Sequence, residues 1–246
     1  NLARGLSMTH GLALAHQAPS FIVPVPGLKS SLEGGLQRAV QHSVGLNYAL
    51  PSGISASLAV FQNAFFNMTD FISLLQLESS TGEDLVEFRT RGHAYGAELM
   101  LRRSLAQDLG GFVSYTLSRS VRSARRLRGP ASTDRTHVLN VGASYNLGRE
   151  WRLGGRVILY SGIPAEVAYL EAATAPPRTP PFWRLDFKLQ KRWYVKRPSA
   201  WWGLAVEVLN TTLNKEQLSG GCNAYTCSFE GIGPITVPSI GFEGAF

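Results

Sequence analysis

The sequence predicts an all-β chain, an antiparallel transmembrane β-barrel wall of about ten long strands in a single domain. Three observations carry that prediction. Apolar and polar residues alternate with a period of two, the alternating segments run to about ten to fifteen residues, and the connections between them are alternately short and long. Segments of that length are about twice the usual soluble strand and match what a tilted strand needs to cross a bilayer.

In chain order, strands are expected at Arg4–His16, Leu36–Leu50, Ile54–Phe66, Phe88–Arg102, Gly110–Arg119, Leu139–Leu147, Trp151–Leu159, Trp183–Arg192, Trp201–Thr211 and Val237–Phe246. The second and third are separated only by Pro51-Ser52-Gly53, the fourth and fifth by Arg103 to Leu109, the sixth and seventh by Gly148-Arg149-Glu150, and the eighth and ninth by Tyr194 to Ala200. Between these pairs lie the long stretches 17–35, 67–87, 120–134, 162–181 and 212–236. Short turns on one rim and long loops on the other characterise outer-membrane barrels. The sixth strand sets Leu139, Val141, Ala143, Tyr145 and Leu147 against Asn140, Gly142, Ser144 and Asn146. The eighth is sharpest, with Trp183, Leu185, Phe187 and Leu189 against Arg184, Asp186, Lys188, Gln190 and Arg192. A helix would scatter those charges round its circumference. Leu185, Phe187, Val157 and Leu204 are expected toward lipid, and Arg184, Asp186 and Arg156 toward the interior. Tyr48, Tyr145, Trp151, Trp193, Trp201 and Trp202 fall near the short-turn rim, where amphipathic rings prefer the membrane interface.

Composition narrows the class. Of 246 residues 44% are apolar and only 17% charged, which excludes a disordered tail or coiled coil, while no apolar run approaches the length of a spanning helix. A soluble β-sandwich would rarely combine so many long strands with one face so charged. Asn1–Gly5 has no basic stretch leading into an apolar one, so the expectation is a chain that begins after processing or inside something larger.

The remaining residues suggest where function sits. The formal net charge is +7. Nucleic acid is the first suspect for such a charge, but Arg102, Arg152, Arg156, Arg184, Lys188 and Arg192 fall on the interior face, offset in part by Glu98, Asp186 and Glu207. They read as cross-strand ion pairs lining a wet interior, and nucleic acid is not expected as a partner. The sharper reading makes Arg156, Tyr160, Arg184 and Asp186 contacts for an anionic solute. Arg119, Arg122, Arg125, Arg126 and Arg128 form a second basic cluster in a long loop. Two readings stand for it: lipopolysaccharide phosphates, and an acidic ligand. Phe71–Leu77 is apolar for an external loop and reads as packing on other loops or a plug, or as a partner contact. Residues 18–27, with Pro19, Pro24 and Pro26, read as an extended loop. Cys222 and Cys227, in a Gly/Asn/Ser-rich stretch with no second Cys/His pair beside it, read better as a disulfide than as zinc ligands. The five histidines lie on or at the ends of different strands without metal-pair spacing. Neither a metal, a cofactor nor a catalytic set is expected, a rim pairing of His16 with Asp70 being too slight to make one, and the chain is not read as an enzyme.

Tyr95-Gly96-Ala97-Glu98-Leu99, Gly111 to Ser120, Asp134-Arg135-Thr136-His137-Val138-Leu139-Asn140, Tyr160-Ser161-Gly162-Ile163-Pro164, Trp183-Arg184-Leu185-Asp186 and Val208 to Asn214 follow one another in an informative order. In that order and spacing, over residues 90 to 246, the chain resembles the C-terminal part of a TonB-dependent outer-membrane receptor. The resemblance implies a barrel of 22 strands around a plug, in the outer membrane of a Gram-negative bacterium, importing a scarce solute such as a siderophore, cobalamin, glycan or peptide. It also implies lipid and lipopolysaccharide around the wall, and contact with TonB through an N-terminal segment absent here. Ile240, Phe242 and Phe246 resemble the terminal assembly signal. With room for only about ten strands, the chain is expected to be a fragment of a receptor, a barrel shared with a second polypeptide, or a small barrel closing alone. A scaffold barrel that holds partner proteins is the alternative function.

Overall fold

A computed structural model of the chain describes residues 5–18, 35–50, 53–68, 90–104, 108–124, 127–167, 175–196 and 200–245. The strands are β1 Leu6–Gln17, β2 Gln37–Ala49, β3 Ile54–Met68, β4 Thr90–Arg103, β5 Leu109–Ala124, β6 Leu127–Pro130, β7 His137–Gly148, β8 Trp151–Tyr160, β9 Glu166–Val167, β10 Phe182–Lys196, β11 Ala200–Leu209, β12 Glu216–Cys222, β13 Cys227–Ile232 and β14 Val237–Ala245. Ten of them form the wall in the order β1-β2-β3-β4-β5-β7-β8-β10-β11-β14, antiparallel throughout, with β6 folded back on the outer end of β5. A separate sheet, β13-β12-β9, is built from two of the long connections.

Register puts side chains of directly paired residues on the same face of the sheet. Asp186 pairs with Arg156, Lys188 with both Gly154 and Glu207, and Arg192 with Gly203, which itself pairs with Glu243. One step along, Leu185 pairs with Val157, and Leu204 with Phe242. The charged series therefore shares one face across β7, β8, β10, β11 and β14, and the apolar series the other. In lipid the apolar face must turn outward, which makes the charged face the inner one. Cysteine scanning checks this: a membrane-impermeant thiol reagent is expected to label Lys188→Cys, whose inward side chain is exposed, and to leave Leu185→Cys unlabelled, and equal labelling would overturn the assignment.

The short connections 50–53, 104–108, 149–150 and 197–199 all leave the same rim. Around it the rings of Trp193 and Trp202 stack at 4.1 Å, and the Lys191 ammonium lies 5.3 Å from the Trp151 ring while donating to the Arg149 carbonyl. Trp201 departs from the expected belt. It pairs with Tyr194 and Ala245 on the inner face, where the Arg192 guanidinium covers its ring at 4.4 Å. The β10–β11 turn carries a register shift between Tyr194 and Lys196.

The structure lengthens some strands and adds others. β5 runs to Ala124 rather than Arg119, and β10 to Lys196 rather than Arg192. β11 stops at Leu209, because Asn210 takes a left-handed φ of 54° and opens a turn. Among the described residues β1 pairs only with β2 and β14 only with β11. The wall is open at both edges, where Leu12 is 72% and Phe242 78% exposed. A closed ten-stranded ring is not what the chain forms.

Candidate functional site

The inner face carries a ladder of ions whose most buried member is Asp186, 4% exposed. Its Oδ2 accepts from Arg156 Nε at 3.0 Å and Nη2 at 2.8 Å, and its Oδ1 accepts from the Asn210 backbone N–H at 2.9 Å. Arg184 Nε lies 3.2 Å from Oδ1, an ion-pair distance, but it is buried without the alignment of a hydrogen bond. One carboxylate thus faces two guanidiniums, leaving this stretch of wall positive. Nearer the short-turn rim the pairs are more exposed, Lys188 with Glu207 and Arg192 with Glu243, both at 3.7 Å. Such pairs contribute about 0–1 kcal/mol each, so they shape the local field more than they hold the wall.

Asn210 links this ladder to the loops. Its side chain donates to the carbonyls of Asn214 and Ile235, while its Oδ1 accepts from Asn214 N–H and Thr212 Oγ1. Thr211 Oγ1 and Asn214 Nδ2 donate to the carbonyls of Leu185 and Trp183. The turn after β11 is thereby fastened to β10 beside Asp186. A cavity of about 260 Å³ opens there, lined by Phe182, Arg184, Asn210, Asn214, Glu216 and Leu218.

A second hub sits at the long-loop rim. Asp134, 2% exposed, accepts the Ser120 N–H at 2.5 Å and pairs with Arg178, whose other nitrogen donates to the carbonyls of Asp134 and Gly162 at 2.7 and 2.9 Å. Arg119 lies at 3.8 Å from the same carboxylate. Next to it the Arg135 guanidinium covers the Tyr160 ring at 3.9 Å and donates to Glu216 at 3.1 Å. The arms of the β8–β10 connection run back to back through Thr179 N–H to Ile163 carbonyl and Ala165 N–H to Pro177 carbonyl. They approach so closely at Gly162 that a Cβ there would lie 1.6 Å from the Thr179 carbonyl oxygen, so only glycine fits.

The disulfide is formed. Cys222 and Cys227 pair in register at the tip of the β12–β13 hairpin, and the intervening turn is held by Asn223 Oδ1, which accepts from the N–H groups of Tyr225 and Thr226. Cys222 also pairs with Val167 of β9, tying one loop to the other. Closing so short a segment is worth roughly 2 kcal/mol in chain entropy. Cys222→Ser with Cys227→Ser is therefore expected to speed hydrogen exchange in β12 and β13 while leaving the thermal unfolding of the wall within a degree or two.

Of the residues singled out in the sequence, Arg156, Arg184 and Asp186 come together, and Tyr160 joins Arg135 and Phe182 at the rim above them, its ring 5.2 Å from that of Phe182. Arg122 does not lie in a loop: it is on β5, 9% exposed, with its guanidinium 4.9 Å from the Phe65 ring and donating to Ser120. The wall continues past the membrane there, and strand pairing turns that side chain inward. Arg128 is on β6, opposite Ser123. Ile240 and Phe242 sit on the outward face of β14. Arg125, Arg126, Phe246, Asp70, Phe71–Leu77 and the three prolines lie outside the described residues. The histidines are not all isolated: His10 and His42, diagonal neighbours on the outward face of β1 and β2, have their Nε2 atoms 2.9 Å apart. Arg178, Arg135, Glu216 and Glu243 were missed, because their partners lie on elements far apart in the chain.

A family model described as "TonB dependent receptor-like, beta-barrel" matches residues 10–211. The chain belongs to the TonB-dependent receptor β-barrel family. Members of this family reside in the outer membrane of Gram-negative bacteria. Two solved structures of receptors superpose on nearly the whole chain. One is the ferric-catecholate import receptor Fiu from E. coli K12 in its closed form, with a TM-score of 0.67, 14% identity, and coverage of 99% of this chain and 34% of that one. The other is the ferric citrate transporter FecA in its unliganded form, with a TM-score of 0.70, 16% identity, and coverage of 99% and 36%. At such identities the likeness shows the receptor-barrel fold. The chain spans about a third of the length of either receptor. No curated protein sequence matches it.

Proposed function

We propose that this chain is the C-terminal wall of an outer-membrane importer, completed by further strands around a plug and driven through TonB. The observation that carries the reading is the pair of open edges, β1 and β14, on a wall whose inner face is polar along its length. Strand edges in lipid leave backbone donors and acceptors unsatisfied at several kcal/mol each, so other strands must meet them. A solute-conducting or plugged interior also needs a wider ring than ten strands give.

Arg156 and Arg184 around Asp186, with Tyr160 and Arg135 above, favour an anionic solute such as an iron chelate carrying carboxylate or catecholate oxygens. Arg128 on β6 is in register with Ser123 and, through it, with Arg91 on the outward side, so it is not one of these contacts. The test uses the full-length protein containing this chain, expressed in a host lacking its own ferric-chelate importers. Uptake of labelled ferric chelates is expected, and it is expected to vanish when TonB is deleted. Uptake that persists without TonB, or a full-length protein with no plug sequence, would overturn the importer in favour of the scaffold barrel.

A further inference from the structure

The long connection from β11 to β14 gathers aliphatic side chains away from the lipid face. Leu218, Ile232, Ile235 and Val237 are between 41% and 60% exposed, and all four line the cavity of about 260 Å³ beside Asn210. Parity sets this cavity on the inner side of the wall. Phe182 lies two residues from Arg184 on β10, and Leu209 pairs with Val237 two residues from the inward pair Glu207 and Ser239. Lipid therefore does not account for the exposed apolar surface, which faces the wet interior.

Separate features of the loop aim these side chains at one space. The register of the β12–β13 hairpin shifts between Gln217 and Ser219, so Leu218 falls at a bulge, and a bulge re-aims the side chain it carries. Ile232 pairs directly with Glu216 and shares its face. The Ile235 carbonyl accepts from Asn210 Nδ2 at 3.2 Å, which holds that segment beside the turn after β11. At its far end the hairpin is closed by the disulfide between Cys222 and Cys227. The apolar wall is thus preformed, and a ligand need not order it.

One end of the cavity is ionic. Arg184 Nε, 3.2 Å from Asp186, is buried and finds no hydrogen-bond acceptor among the described residues. Glu216, which pairs with Arg135 at 3.1 Å, lines the same space. An apolar pocket with a guanidinium at one end suits a flat apolar group that carries an anionic oxygen. Its size is also selective. An apolar cavity of about 150 Å³ holds benzene, so about 260 Å³ holds one substituted ring with its oxygens. The Phe182 ring supplies an aromatic surface for it. A compact hydroxycarboxylate has nothing to place there.

We infer that the cavity between β10 and the β12–β13 hairpin is a subsite for a single aromatic ring borne by the solute, the ring against Phe182, Leu218 and Ile232 and its anionic oxygen on Arg184. The inference rests on the anionic solute proposed above and narrows it to aryl chelates over compact aliphatic ones.

The test uses the full-length receptor in detergent micelles and two probes, both anionic and both iron-loaded: the ferric complexes of dihydroxybenzoate and of citrate. The wild type is expected to bind the dihydroxybenzoate complex at least about tenfold more tightly. Leu218→Trp, which fills the cavity, and Ile232→Ala, which removes part of its wall, are each expected to bring that preference below about twofold. The two variants change volume in opposite directions, so overpacking alone does not explain a shared loss. Tyr225→Ser, at the exposed tip of the same hairpin, should keep the wild-type preference. Equal binding of the two complexes by the wild type, or an unchanged preference in either cavity variant, overturns the subsite, and a plug side chain occupying the cavity then becomes the reading. A wild type that binds neither complex overturns the anionic-solute reading itself.

Discussion

Asp134→Ala is expected to destabilise the receptor by about 3–5 kcal/mol, the range for removing one partner of a buried, hydrogen-bonded ion pair. The loss would exceed that of any exposed pair in the wall because nothing else can take over its contacts. The carboxylate is 2% exposed and answers Arg178, Arg119 and the Ser120 N–H together. Without it the Arg178 guanidinium keeps two carbonyls but no counter-charge, and Ser120 N–H is left dry. The damage should be local in form: the far arm of the β8–β10 connection, at Arg178, would lift from the β5–β7 loop, while Ser161 at its near end stays bonded to Arg135, Thr136 and His137. Limited proteolysis is the measurement, with cleavage expected first within 161–181 and the wall strands still protected. Asp134→Asn keeps the shape and an acceptor but drops the charge, and should fall between the two. If Asp134→Ala unfolds at the wild-type denaturant midpoint, the hub is not what secures the loops.

Asp186→Leu is the second large effect, expected at about 2–4 kcal/mol. The lower figure reflects Arg156, whose side chain is 44% exposed and can turn to water when its partner is gone. The Asn210 N–H has no such escape, and Arg184 Nε is buried although the rest of its side chain is 29% exposed. The substitution also raises the local positive charge by one. Binding of an anionic chelate by the full receptor should therefore survive or tighten at low salt even as stability falls, with steeper salt dependence. Arg156→Gln should do the reverse, costing little stability and weakening binding. Urea unfolding in micelles gives the stability, and equilibrium binding of the chelate at two ionic strengths gives the rest. A variant in which stability and affinity fall together would assign Asp186 a direct hold on the solute instead.

The wall could be read in the residues because lipid enforces a strict two-residue period wherever a strand crosses it. Trp183 to Leu189 and Leu139 to Leu147 show that period without interruption, and their partners follow from parity. Outside the bilayer the constraint lapses. The outer end of β5, Arg119-Ser120-Val121-Arg122-Ser123, has no apolar face to display, so it resembles a loop although it is paired on both sides. The β12–β13 hairpin is hidden for the same reason, in a run rich in Gly and Ser whose pairing depends on a disulfide and on β9 rather than on burial of a stripe. Chemistry followed the same divide. Arg156 and Asp186 could be matched because they face each other across adjacent strands. Arg135 with Glu216, 81 residues apart, and Arg178 with Asp134, 44 apart, meet only through the fold of the long connections.

The order of the wall has a consequence for how it assembles. Every wall strand pairs with the one that precedes or follows it along the wall, so each new hairpin closes a loop of modest length on a template already formed. Loop-closure entropy grows only as the logarithm of loop length, so even the connection from β11 to β14 adds little beyond what a short turn costs. Such a sheet can zip up strand by strand with low contact order, and folding should be fast along its length. The joins at β1 and β14 are different in kind, because their partners lie outside these ten strands. Meeting them is the slow step, and until it happens Leu12 and Phe242 flank two live templates for pairing with other chains. The receptor's vulnerability during biogenesis is thus concentrated at two seams, and substitutions there should show in folding yield well before they show in the stability of the finished barrel.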